Sequence, residues 1–267
     1  MTKKDIRELL IDKSVPAVLL VSAGAGRAFS KLGGLPEVPP QFDWPMWKGS
    51  PAAFIAQIDL AELPPSHGLE GLPQNGRLYF FYDQEQSTWG FDPEDKGSWR
   101  VIYVPASVDL VNAEAPAGLG KDYVYREKRW APKTIQSIPS VERLGEDVPA
   151  EFDMAYEIVE ELRSAYAAEG PEHQLGGFPN PIQGDSMELE SQLASNGLYC
   201  GDPSGYSDPR AVDLAPGASE WKLLLQVDSD DDTNMMWGDC GRLYFWIRGS
   251  DLAAGDFSKV WMILQCG

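Results

Sequence analysis

Cysteine and histidine are scarce in this chain. Three cysteines (Cys200, Cys240, Cys266) and two histidines (His67, His173) are spread over 267 residues. An odd count, wide spacing and no C-x-x-C pair exclude a disulfide framework and a zinc knuckle. The cysteines read as reduced thiols, with Cys240 in a turn, which fits a cytoplasmic protein. Positive charge is short as well. Lys plus Arg number 22 against 41 Asp plus Glu, a net charge of −19. That excludes a nucleic-acid binder, which needs clustered cations for phosphate. No apolar run reaches the roughly 20 residues of a membrane-spanning helix. Catalytic signatures are missing too. No G-x-S-x-G elbow, P-loop or H-E-x-x-H pattern occurs, and Gly201-Asp202-Pro203-Ser204-Gly205 has the wrong spacing for a nucleophile elbow. Gly24-Ala25-Gly26 follows the apolar run Val18 to Val21. Phe29 stands where a dinucleotide turn needs its third glycine, and Gly33-Gly34 with Pro36 ends any helix. No cofactor is expected. His67, behind Pro64-Pro65-Ser66, reads as solvated, and His173 as a surface or capping histidine.

What is present is apolar material: 43% hydrophobic and 11% aromatic residues. A globular chain of this size buries roughly 70–75% of its unfolded surface, so a packed core is expected. The N-terminus places Lys3, Lys4 and Arg7 before the apolar stretch Val15 to Val21, with Ala23-Gly24-Ala25 behind it. Asp5, Glu8 and Asp12 break the positive region and Pro16 opens the apolar run. A helix over Asp5 to Leu10 and then a buried strand is therefore expected, rather than a cleaved leader.

Three blocks recur in the same order. Gly33-Gly34-Leu35-Pro36 returns as Gly176-Gly177-Phe178-Pro179, Phe54 to Asp59 as Leu223 to Asp228, and Gly76-Arg77-Leu78-Tyr79-Phe80 unchanged as Gly241-Arg242-Leu243-Tyr244-Phe245. The offsets are 143, 169 and 165, so insertions separate the blocks, as loops allow. One α+β domain over residues 1–267 is expected, mostly antiparallel β. It would be built by internal duplication of two related β-rich halves, about 28–150 and 170–267, with a connecting helix. Strands are predicted at Phe54 to Leu60, Leu78 to Tyr82, Trp99 to Val104, Lys222 to Val227, Leu243 to Ile247 and Val260 to Gln265. Phe152, Tyr156, Val159, Leu162 and Tyr166 have helical spacing, which predicts a helix over Phe152 to Ala168, stopped by Gly170-Pro171, covering the joint between the halves. A shorter helix is predicted within Gly184 to Ser195.

The distinctive polar features are two Gln-x-Asp pairs, Gln57/Asp59 and Gln226/Asp228. Strand alternation puts each pair on one face. A glutamine inside an apolar strand must be hydrogen-bonded. If the halves pack about a pseudo-twofold, both pairs would line one central cleft suited to peptide backbone or to Lys and Arg side chains; the alternative is a structural network that satisfies loop backbone. The run Asp228, Asp230, Asp232, Asn234, Asp239 imitates the spacing of a calcium loop. However, Thr233 replaces the glycine, the last ligand is Asp rather than Glu, and strands flank it, so no metal site is assigned. Trp44 and Trp237, with Met46, Met235 and Met236 nearby, have the composition of an adaptable protein-binding surface.

Gly33-Gly34-x-Pro36, Trp44-Pro45, Phe54-x-x-Gln57-x-Asp59, Leu224-Leu225-Gln226-x-Asp228-Ser229-Asp230, Met236-Trp237-Gly238-Asp239-x-Gly241 and Tyr244-Phe245-Trp246-Ile247 resemble the bacterial YwqG-like proteins, a domain-of-unknown-function family. The resemblance covers about residues 15 to 267. It implies a duplicated, mostly β fold, similar to the domain of the eukaryotic programmed cell death protein 2 group, and roles in chaperoning or in immunity beside toxins. It carries over no catalytic residue. Sequence and resemblance together point to a binding module for a basic protein or peptide, with Trp44, Gln57, Asp59, Gln226, Asp228, Trp237 and Asp239 as binding residues. The competing reading is a ligand-binding protein or hydrolase using Asp59, Asp228 and Asp239 in a carboxylate cleft.

Overall fold

Thr2 starts the first helix. Its hydroxyl accepts the Asp5 N–H at 3.2 Å, and the Asp5 carboxylate accepts the Thr2 N–H at 2.8 Å. This reciprocal box satisfies two donors that a helix start leaves open. In the computed structural model, which describes residues 1–24, 28–166 and 170–267, α1 (Lys3–Asp12) leads into β1 (Val15–Ser22). The apolar run after the helix is thus a strand, with Ala17 to Leu20 buried. Two residues of the glycine turn weighed for a dinucleotide, Ala25 and Gly26, lie outside the described residues.

Short pieces follow: β2 (Lys31–Leu32), β3 (Glu37–Val38), β4 (Met46–Trp47) and β5 (Ser50–Pro51). Next come β6 (Ala53–Asp59), β7 (Arg77–Tyr82), β8 (Trp99–Val104), β9 (Val111–Asn112), β10 (Lys128–Ser137) and α2 (Phe152–Tyr166). The second half holds β11 (Gln174–Leu175), α3 (Met187–Ser195), α4 (Ser204–Ser207), α5 (Pro209–Leu214), β12 (Trp221–Asp228), β13 (Arg242–Arg248), α6 (Gly249–Ala254) and β14 (Trp261–Gln265). The expected strands and helices fall within these bounds, give or take a residue or two. The last expected residues of α2, at 167 and 168, lie outside the described ones.

Among the described residues ten strands form one sheet, in the order β14-β13-β12-β11-β1-β10-β2-β6-β7-β8. Neighbours pair antiparallel throughout. Hence the fold is mixed helix and strand around a large, mostly antiparallel sheet. The sheet curls until its ends nearly close a barrel. Trp99 of β8 lies edge-on to Trp261 of β14 at 4.9 Å, its indole N–H donates to the Val260 carbonyl at 2.8 Å, and Leu264 N–H donates to the Trp89 carbonyl at 3.0 Å. Inside, Phe80 of β7 meets Phe245 of β13 at 5.1 Å, and a single apolar cluster draws on both halves. β13 is covered on both faces, with Leu243 to Ile247 at most 1% exposed, as its unbroken apolar run predicts. α3 contributes Met187 and Leu193 to this core, while α1 and α2 pack together through Ile6, Leu10, Ile158 and Val159 beside Ile138 at the end of β10.

Candidate functional site

Both Gln-x-Asp pairs fall on strands that flank a two-glycine turn. Gly33 and Gly34 take φ of +60° and +69°, and Gly176 and Gly177 take +65° and +71°, a region that L side chains avoid. Each turn brings a loop back over the neighbouring strand, and the strand's glutamine fastens it. The Gln57 amide oxygen accepts the Glu37 N–H at 2.9 Å and its nitrogen donates to the Phe29 carbonyl at 3.1 Å. The Gln226 amide oxygen accepts the Asn180 N–H at 2.9 Å and its nitrogen donates to the Glu172 carbonyl at 2.9 Å. Beside them Tyr79 donates to the Glu37 carbonyl at 2.5 Å and Tyr244 to the Asn180 carbonyl at 2.7 Å. Burial pushes the Tyr79 hydroxyl up to about 12 and raises that of Tyr244 as well, so both stay protonated donors. Phe29 and Glu172, like Glu37 and Asn180, are 143 residues apart, the offset of the glycine turns. β6 and β12 also carry register shifts at matching points, between Phe54 and Ala56 and between Leu223 and Leu225.

Each aspartate pairs with an arginine of the next strand, while its carboxylate accepts a different backbone N–H in the two halves. Asp59 accepts the Ala61 N–H at 3.1 Å and sits 3.2 Å from Arg77 Nε. Asp228 accepts the Glu172 N–H at 2.9 Å and sits 2.9 Å from Arg242 Nε. Backbone N–H groups of the two aspartates also find matching acceptors. Asp59 N–H donates to Ser30 Oγ at 2.9 Å, and Asp228 N–H to His173 Nδ1 at 3.1 Å.

At that last point the halves diverge. His173 is buried rather than at the surface, which corrects the sequence expectation. With Nδ1 accepting, its proton sits on Nε2, 3.3 Å from Asp230 Oδ2. Lys128 Nζ lies 2.9 Å from the same oxygen and 2.9 Å from Asp232. Burial opposes the charge on Asp230, but hydrogen bonds from His173 and Lys128 prevail and hold its carboxyl far below the usual carboxylate range. Asp228, Asp230 and Asp232 therefore turn their carboxylates on Arg242, His173 and Lys128. Among the described residues no group of three or more His, Cys, Asp or Glu is placed to hold a metal ion.

The expected central cleft is not formed by the two pairs. Gln57 stands opposite Tyr79 and Gln226 opposite Tyr244 in the ladders, so each shares a face with that tyrosine. Phe80 and Phe245, one residue on, point to the opposite face and meet in the interior. Alternation thus turns both glutamines away from the seam between the halves. Trp237 is wholly buried against Tyr82 and Tyr125, its indole N–H on the Asp228 carbonyl at 3.1 Å. Trp44 is half-buried, edge-on to Phe81 at 5.3 Å, and donates to the Ala52 carbonyl at 2.9 Å. Asp239 is exposed in the turn before Gly241. Gln226, Asp228 and Trp237 are therefore one group and Gln57 and Asp59 another. Trp44 packs in the apolar cluster around Tyr79 and Phe81.

One opening adjoins these residues. A cavity of about 370 Å³ is lined by Glu37, Asp59, Arg77, Val104, Asp109 and Leu110, among others. Val104 and Leu110 belong to the cluster that holds Trp44. Sequence reasoning found Asp59 but not Glu37 or Asp109, which lie on separate segments and share no motif with it.

The curled antiparallel sheet with its paired loop fasteners defines a mixed α and β protein. Its sequence places it more narrowly: the chain belongs to a family described as Domain of unknown function (DUF1963), matched over residues 30–266. No curated protein matches it. Among the described residues no helix is long and apolar enough to cross a membrane.

Proposed function

We propose that the chain binds a basic protein or peptide partner, taking a Lys or Arg side chain into the cavity beside Asp59. The observation that carries this is the cavity's own charge. Three carboxylates, Glu37, Asp59 and Asp109, face one guanidinium, Arg77, in an opening large enough for a long side chain. A net charge of −19 steers positive partners toward it. Asp228 and Asp230, tied to Arg242, His173 and Lys128, act as internal fasteners rather than as contact groups. A toxin domain or a nascent protein segment is the kind of basic partner that suits this surface, and three free cysteines suit a cytoplasmic setting. On this reading the two halves are copies of one unit. Support comes from the glutamine and tyrosine bonds, the Asp–Arg pairs and the acceptors of the aspartate N–H groups, which correspond in position at the offsets of the recurring blocks.

Calorimetric titration with a tetralysine peptide tests the binding site. The double variant Glu37→Gln/Asp109→Asn is expected to weaken binding by about tenfold, since charge-assisted hydrogen bonds are lost. Glu157→Gln/Glu160→Gln, which removes the same charge from exposed positions on α2, is expected to leave binding nearly unchanged. Equal losses in both variants would reduce the effect to net charge and end the assignment.

A further inference from the structure

We infer that a second cleft, where the two ends of the sheet meet, binds a small anion with an apolar body: a phosphate or carboxylate carried on an aromatic or aliphatic group. The cleft encloses about 470 Å³ and is lined by Lys96, Gly97, Trp99, Arg100, Val101 and Phe257 to Val260. Its floor is apolar, with Trp99 and Phe257 each 4% exposed. Its rim is cationic, because Lys96, Arg100 and Lys259 are all exposed there. In a chain with 41 acids and 22 bases, three cations on one cleft run against the overall charge.

Those cations also lack a carboxylate partner, although Arg100 Nη1 donates to the Trp99 carbonyl at 2.9 Å. Among the described residues none of the three makes an ion pair, whereas Arg77, Arg143 and Arg242 are each held by carboxylates. The acids adjacent in sequence are turned to backbone. Asp95 accepts the Trp89 and Gly90 N–H groups at 3.1 and 2.9 Å, and Asp256 accepts the Ser258 N–H at 3.2 Å. Gly97 matters to the shape. A Cβ there would stand 3.2 Å from the Trp47 ring and 3.5 Å from Arg100 Nη1, at a φ of +111°. An apolar floor under unpaired guanidinium and ammonium groups is the arrangement that holds an amphiphilic anion: the body desolvates against the floor while the head takes charge-assisted hydrogen bonds. The cleft is separate from the acidic cavity beside Asp59 and rests on none of the argument made for it.

Phenyl phosphate, benzoate, inorganic phosphate and phenol serve as probes, each at millimolar concentration, with binding read by calorimetry and by chemical-shift changes. Phenyl phosphate is expected to bind more tightly than phenol, for want of a charge on the latter, and more tightly than inorganic phosphate, which has no body. Benzoate distinguishes a carboxylate from a phosphate preference. Arg100→Ala/Lys259→Ala is expected to weaken phenyl phosphate by about tenfold or more without shifting the melting temperature. Lys133→Ala/Lys222→Ala, which removes the same charge elsewhere, is expected to leave it intact. Phenyl phosphate binding no tighter than phenol, or equal losses in both double variants, would overturn the inference.

Discussion

Asp230 is the residue whose environment is easiest to probe. Its folded carboxyl titrates far below the unfolded one, so its charged form supports folding above the usual carboxylate range, and that support fades as pH falls below that range toward the folded value. Asp230→Asn is expected to cost about 2–3 kcal/mol near neutral pH, where it weakens charge-assisted bonds to His173 and Lys128. In urea titrations repeated across pH, the gap from the parent protein should close below about pH 4. A gap that stays constant down to acid would show that the carboxylate's charge does not matter. Thiol chemistry gives a second test. Burial pushes the Cys200 thiol up to about 11, while Cys240 is exposed. Labelling of the native protein is thus expected at Cys240 first, with Cys200 and Cys266 reacting only on unfolding. Tryptophan 237 shows the limit of composition as a guide. Its neighbours in sequence look like a contact loop, but the Asp228 carbonyl and two tyrosine rings hold it inside, and nothing local in the sequence announces that.

At the scale of elements, the strands from β6 to β8 and from β12 to β14 were legible because their apolar runs are dense and bounded by turns. β10 was not. Lys128, Arg129 and Lys133 interrupt it and Pro132 sits within it, so the pattern reads as loop. The structure explains the tolerance. β1 pairs with Trp130 to Ser137 and β2 only with Lys128 and Arg129, which leaves the longer stretch, including Pro132, with a strand neighbour on one side only. The glycine turns were visible as motifs, although their purpose was not. At Gly177 a Cβ would fall 2.6 Å from Ser137 Cβ and 2.7 Å from Ala17 Cβ. Gly177→Ala is accordingly expected to cost about 2–4 kcal/mol, from left-handed strain plus a clash with the central strands. Gly255→Ala, at a φ of +68° with nothing within 4 Å, should cost only about 1 kcal/mol. Melting temperatures of the two variants would test the difference, and similar values would contradict it.

For the molecule as a whole, the recurring blocks marked the strands that carry the two Gln-Asp pairs but not the face those pairs take. Pairing register decides which face a side chain takes, and sequence alone gives the alternation without saying which face becomes the interior. The interior went to Phe80 and Phe245, so the Gln-Asp pairs serve the outer loops. Those two glutamines act as equivalent fasteners, each closing one arm of the sheet. Equilibrium unfolding of Gln57→Ala and Gln226→Ala tests this most directly. Each removal leaves a backbone N–H and a backbone carbonyl without their partner, so each is expected to cost about 2–4 kcal/mol and the two costs should agree within about 1 kcal/mol. A loss below about 0.5 kcal/mol in either variant, beside a large loss in the other, would contradict it.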